Sequence, residues 1–165
     1  MRGTETVTVR RLEPDDWALS RDIRLAALAD APHAYGSSLA REREFTEDVW
    51  RSRLGPENGV TVLATVGDRA AGIAGGYTPA DAESVLLVAM WARPELRGRG
   101  VADALVTEIL AWAAENGWSA VRLRVADGNT AARKLFERHG FRSTGERDTL
   151  ESDPSVYTET LSREV

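Results

Sequence analysis

One segment of this chain concentrates groups that could hold an anion. Arg97-Gly98-Arg99-Gly100-Val101-Ala102 follows Trp91-Ala92-Arg93-Pro94-Glu95 and leads into a run with helical spacing. A helix N-terminus offers backbone N–H groups that have no partner inside the helix, together with about half a positive charge. Glycines there let a phosphate approach those groups without a Cβ in between. Arg97 and Arg99 add charge-assisted donors of the kind a pyrophosphate or ribose phosphate uses. The chemistry implied is phosphate binding; the same residues would also serve a plain strand-to-helix turn with solvated arginines.

Two common phosphate binders are disfavoured. No Gly-Lys-Ser/Thr follows the glycines, so the P-loop pattern is missing, and with it the case for ATP or GTP. Gly98-x-Gly100, with Asp127 ending the next strand, invites a nicotinamide-dinucleotide reading. Against it, the third glycine position is Asp103, and the preceding apolar strand ends about six residues before Gly98. A dinucleotide loop turns directly off its strand.

The elements that must position this segment follow from periodicity. Val7 to Leu12 alternate as a half-buried strand does, and Pro14-Asp15-Asp16 starts a helix that runs from Trp17 to about Asp30. Asp30-Ala31-Pro32 breaks it, and a loop through Gly36-Ser37-Ser38 follows. Thr46 can cap a short helix over Val49, Trp50 and Leu54. Val60 to Val66 and Ala70 to Tyr77, joined at Gly67-Asp68, read as a hairpin. Val85 to Trp91 is apolar without alternation, which marks a central strand covered on both faces. Val101, Leu105, Ile109 and Trp112 recur at helical spacing up to Asn116-Gly117. Then come a strand over 121–125, a helix opened by Asn129 and closed at Gly140, and strands over Phe141 to Glu146 and Val156 to Leu161. The expected fold is one α+β domain over residues 1–165, a mostly antiparallel central sheet flanked by about four helices.

Composition narrows the function. There are no cysteines and only two histidines, His33 and His139, which leaves little for a metal centre and excludes a thiolate nucleophile. The net charge is −5, the reverse of what nucleic-acid binding rewards. No stretch approaches the roughly 18 apolar residues of a membrane span, and the start lacks a signal peptide's apolar region. A cytoplasmic protein acting neither on nucleic acid nor at a membrane is expected.

Arg97-x-x-Gly100-x-Ala102, in that setting, resembles the acetyl-CoA signature of the GNAT (GCN5-related) N-acetyltransferases, Gln/Arg-x-x-Gly-x-Gly/Ala. About 30 residues on, Asn129-x-x-Ala132-x-x-Leu135-Phe136-x-x-x-Gly140-Phe141 is similar to that family's downstream helix. The resemblance spans nearly the whole chain and implies a single N-acetyltransferase domain that moves acetyl from acetyl-CoA to a primary amine in a ternary complex. Acetyl-CoA is then a co-substrate, with no metal, and the chain can pair as a homodimer. The acceptor is a small-molecule or peptide amine, and the chain's excess of acid inclines it toward a cationic one.

The resemblance also assigns residues. The pyrophosphate would rest on the amides of Arg97, Gly98, Arg99, Gly100, Val101 and Ala102. Backbone groups of Met90, Trp91 and Ala92, at the bulged end of the central strand, would hold the pantetheine arm, which Asn129 would also reach. Asn129 can equally be a plain N-cap. Phe136 stands where relatives often carry a tyrosine that protonates the departing thiolate; Tyr157 or water could substitute, and a catalytically silent acyl-CoA-binding module is the rival reading. For the base that an ammonium acceptor requires, the candidates are Glu83, at the mouth of the central strand, and His33, in the loop that overhangs the acceptor side in this fold. His139 is expected at its helix C-terminus, and Trp50 and Trp91 could line the acceptor pocket.

Overall fold

The structure, a computed structural model, describes residues 6–32, 37–150 and 153–165. Strands β1 (Val7–Arg11), β2 (Gly59–Val66), β3 (Arg69–Tyr77), β4 (Val85–Ala92), β5 (Ala120–Ala126), β6 (Arg142–Thr149) and β7 (Tyr157–Glu164) form one sheet, ordered β1-β2-β3-β4-β5-β7-β6. The helices are α1 (Trp17–Asp30), α2 (Leu39–Glu42), α3 (Glu47–Arg53), α4 (Val101–Glu115) and α5 (Thr130–Arg138). Every strand pair is antiparallel except β4–β5. This is the expected α+β architecture, with five helices rather than four.

Local chemistry accounts for most boundaries. In α4 the buried residues Val101, Leu105, Val106, Ile109, Leu110 and Ala113 recur every three or four positions, which gives one apolar stripe. The Thr46 side chain accepts from the Val49 N–H and starts α3. Two readings shift. Ser37 and Ser38 lie in the expected loop, and an unexpected single turn, α2, follows it, where the Ser38 hydroxyl accepts from the Arg41 N–H; four residues are too few to carry a periodic signal. Strands β6 and β7 begin and end later than expected, because nearly every side chain of the edge strand β6 is exposed and shows no alternation.

The two sheet faces have separate cores. On one, α4 and α5 pack through Leu105, Ile109, Leu135 and Phe136 onto Val62, Leu87 and Val121. On the other, α1 and α3 cover Leu63, Ile73 and Trp91 through Ile23, Ala27 and Leu54. Among the described residues no helix is long and apolar enough to cross a membrane.

Between α1, α2 and α3 lies one fully buried charge, Glu42. Arg24 grips it with two hydrogen bonds of 3.0 and 3.1 Å, and Arg53 donates a third at 2.8 Å. Burial, the largest influence, pushes the carboxyl up, but hydrogen bonds from Arg24, Arg53 and Ser37 outweigh it and hold it at about 2. A carboxyl depressed from its ordinary 4.5 in the folded state adds stability that is fully present above about pH 4.5 and lost as pH falls toward 2. Glu42→Gln leaves two guanidiniums without their buried anion and is expected to cost about 3–5 kcal/mol. Urea unfolding at neutral pH checks this; a loss under about 1 kcal/mol, the value of an exposed pair, contradicts it.

Candidate active site

β4 and β5 pair only at Val85↔Val121 and Leu86↔Arg122. Beyond that each strand follows its other neighbour: β5 stays registered with β7 to Ala126↔Thr158, and β4 with β3 to Ala92↔Gly72. A cleft of about 810 Å³ opens between them. Between the pairs Ile73↔Trp91 and Gly75↔Val88, β3 supplies one residue, Ala74, against Ala89 and Met90 on β4. That two-against-one count is a β-bulge, which bends the strand and takes backbone groups out of the ladder. Ala89 has φ 55 there, a left-handed conformation that costs a side-chain-bearing residue roughly 1–2 kcal/mol.

Past the bulge the chain is held in steps. The Arg93 N–H donates to Ala71 C=O at 2.7 Å, a 3-10 turn covers Pro94–Leu96, and Leu96 is buried. Gly98 and Gly100 then take φ 81 and 84, and a Cβ on either would meet nothing within 4 Å. The helix ladder begins with Ala104 N–H to Gly100 C=O at 3.0 Å. The amides of Val101, Ala102 and Asp103 precede that bond, so the ladder does not use them. The five residues between Ala92 and Gly98 are not the direct strand-to-glycine turn a dinucleotide loop needs.

The two arginines of this loop differ. Arg97 donates through Nε to the Ala92 carbonyl at 3.2 Å and lies 3.7 Å from Asp30, so its guanidinium is turned back on the end of β4. Arg99 is exposed. Asp103, at the position where a dinucleotide loop needs its third glycine, is half-exposed and accepts from Arg138 at 2.8 Å. It lies 2.7 Å from His139 Nε2, which ties the start of α4 to the end of α5. Burial pushes the Asp103 carboxyl up, yet the bonds to Arg138 and His139 carry it below the usual carboxylate range.

Met90, Asn129 and Phe136 all line the cleft. Asn129 is the N-cap of α5, its Oδ1 accepting from the Ala132 N–H at 3.2 Å, which leaves its side-chain N–H groups as what it can offer a ligand. Phe136 is buried edge-on to Phe141, with ring centroids 5.7 Å apart. Trp91 and Ala92 do not line the cleft; Trp91 belongs to the α1-side core and donates to Asp30 at 2.8 Å. Tyr157 lies outside it too, exposed on β7 beneath Arg147.

A second cavity, about 680 Å³, lies under α1 and α3 on the opposite face of β3 and β4. Arg24, Trp50 and Arg53 form its wall, and Gly75 and Gly76 its floor. A Cβ at Gly75 would crowd Val88 at 3.3 Å, so the missing side chain keeps the floor open. The two cavities share Val88 and Ala89 as lining residues, so both reach the bulge. Of the two tryptophans that could line a pocket, Trp50 lines this space and Trp91 does not. Glu83 is exposed in the bend before β4, at the end still paired with β5, and lines neither cavity. His33 falls outside the described residues. The sequence reading missed Arg24, Arg53 and Tyr77, which reach one cavity from three elements; Gly75-Gly76 inside a strand was the available sign that something approaches there. No group of three or more metal-ligating side chains occurs among the described residues.

The sequence profile of the Acetyltransferase (GNAT) family matches residues 21–141. Over 86 residues the chain is 34% identical to N-acetylaspartate synthetase of Danio rerio, a match covering 52% of this chain and 30% of that protein. The chain thus spans under a third of that curated relative's length. A GNAT-family acetyltransferase from Streptococcus pneumoniae has the same fold, with a TM-score of 0.78 at 19% identity over 97% of this chain and 99% of that one. The yncA protein of Salmonella typhimurium, solved with its cofactor acetyl-CoA, gives a TM-score of 0.74 at 15% identity, covering 96% of this chain and 94% of that one. With the family profile matched over most of its length, the chain belongs to the GNAT acetyltransferase family.

Proposed function

We propose that this chain transfers an acetyl group from acetyl-CoA to a primary amine by direct attack, with both substrates bound at once. The observation that carries this reading is that two cavities, one beneath the sheet and one between β4 and β5, both reach Val88 and Ala89. Such an arrangement lets an amine and a thioester entering from different sides share one reaction centre, and holding them together supplies most of the needed proximity. The fit to acetyl-CoA rests on the open space before Gly98 and Gly100 and on the uncommitted amides of the first α4 turn. The relative solved with acetyl-CoA shares this fold.

Acetyl-CoA supplies an activated acyl thioester. In this reading the amides from 98 to 103 seat its diphosphate, and Asn129 and the edge of β4 around Met90 hold its arm. Backbone N–H groups freed by the bulge meet the charge that develops on the acyl oxygen. The amine nitrogen bonds to the acyl carbon, the C–S bond breaks, and the sulfur leaves as thiolate. With a thiol pKa near 8.5, departure without a proton donor is feasible, which makes Phe136 tolerable. The ammonium proton passes to solvent, because among the described residues no carboxylate or imidazole lines the acceptor cavity. Phe136 favours one other reading, an acyl-CoA-binding module without turnover; thiol release from acetyl-CoA in the presence of an amine panel separates the two.

Gly100→Glu places an anion in the diphosphate seat and is expected to weaken acetyl-CoA binding at least about a hundredfold by calorimetry. Gly100→Ala carries the same backbone strain without the charge and is the control; equal affinity in the two variants contradicts the seat. A general base contributes about 10²–10⁴-fold. Glu83, standing off both cavities, is instead expected to tolerate Glu83→Gln with kcat/KM kept within about twofold, and a tenfold loss would restore it as the base.

A further inference from the structure

The charged side chains lining the cavity beneath α1 and α3 are Arg24 and Arg53, and among the described residues no acidic group lines it. The local sign is therefore opposite to that of the chain as a whole, which carries −5. Glu42 lies behind the arginines, fully buried, and is shared by both. One carboxylate thus faces two guanidiniums, an excess of arginine over acid in this cluster.

Arg53 is the better placed of the two to use that excess. It donates to Glu42 through Nη1 alone, at 2.8 Å. Its guanidinium carbon sits 5.2 Å from the Trp50 ring centroid and 5.3 Å from that of Phe45. One ion pair and two aromatic rings thus fix the guanidinium before any ligand arrives, leaving Nε and Nη2 to donate. The side chain keeps 42% of its exposure, so those donors can be reached. Trp50, lining the same cavity, has a buried indole N–H with no hydrogen-bond partner. A planar fork suits a carboxylate, whose two oxygens accept in one plane. An ammonium-rich acceptor would meet only like charge there.

We infer that the acceptor amine carries a carboxylate, as a free amino acid does, and that Arg53 binds that carboxylate at the α3 wall while the amine reaches the bulge at Ala89. This rests on the acetyl-transfer reading above and narrows its substrate class. Polyamines and lysine side chains within peptides are then poor acceptors, since neither places an anion beside the reacting amine.

The test is a thiol-release assay on the purified protein with acetyl-CoA and matched sets of three amines: free amino acids, their carboxamides and their decarboxylated amines. The acids are expected to exceed both partners in kcat/KM by at least about tenfold, the value of one charge-assisted fork. Arg53→Lys, which keeps the charge beside Glu42 but loses the fork, is expected to shrink the acid-to-amide ratio by about tenfold, mainly through KM. The wild-type ratio needs no variant to fold. Turnover in which amides or decarboxylated amines equal or exceed the acids overturns the carboxylate assignment and leaves acetyl transfer standing. Calorimetric binding of acetyl-CoA with no thiol released by any amine overturns both.

Discussion

Everything functional in this molecule depends on β4 being unable to keep two neighbours along its whole length. It remains with β3 as far as Ala92, while β5 is held throughout by β7, so only two residue pairs join β4 to β5. The bulge at Ala89 and Met90 adds a bend at the place where the strands part. A sheet paired on every edge would offer no backbone groups to a ligand and no passage between its faces. Here the backbone stays unpaired along the cleft, and the unfavourable φ of Ala89 persists because the packed core on both faces fixes the strand around it.

The loop before α4 is positioned by the same core. Leu96 and Val101 are buried on either side of the two glycines, so a segment with little side-chain anchoring of its own is clamped at both ends. The exposed glycines then point helix amides outward, where the helix dipole favours an anion. Asp103 sets a negative charge within the same turn, and its pairing with Arg138 and His139 offsets what would otherwise repel that anion. The chain's overall acidity is thus a poor guide to local charge, since the uncommitted amides that start α4 and the two arginines of the cavity under α1 and α3 run against it.

Much of this was legible in the sequence. The apolar run at 85–91, the glycines after it and Asn129 ahead of an amphipathic helix carry the family pattern because each serves local backbone chemistry. The bulge was not readable from the residues, since nothing in Leu87-Val88-Ala89-Met90 requires a left-handed residue. The cavity under α1 and α3 was hidden for another reason: Arg24, Arg53 and Gly75 meet only through tertiary packing. Glu83 drew attention by its nearness to the central strand, but it lies in the bend before β4, at the end of the strand away from Ala89. Asn129 caps α5 through Oδ1 and also lines the cleft.

The most direct test of the account is a crystal structure of the protein with acetyl-CoA. The account predicts the diphosphate on the backbone amides between residues 98 and 103, with the thioester beside Val88 and Ala89, which line both cavities. A nucleotide bound anywhere else, or a thioester directed away from those two residues, would contradict it.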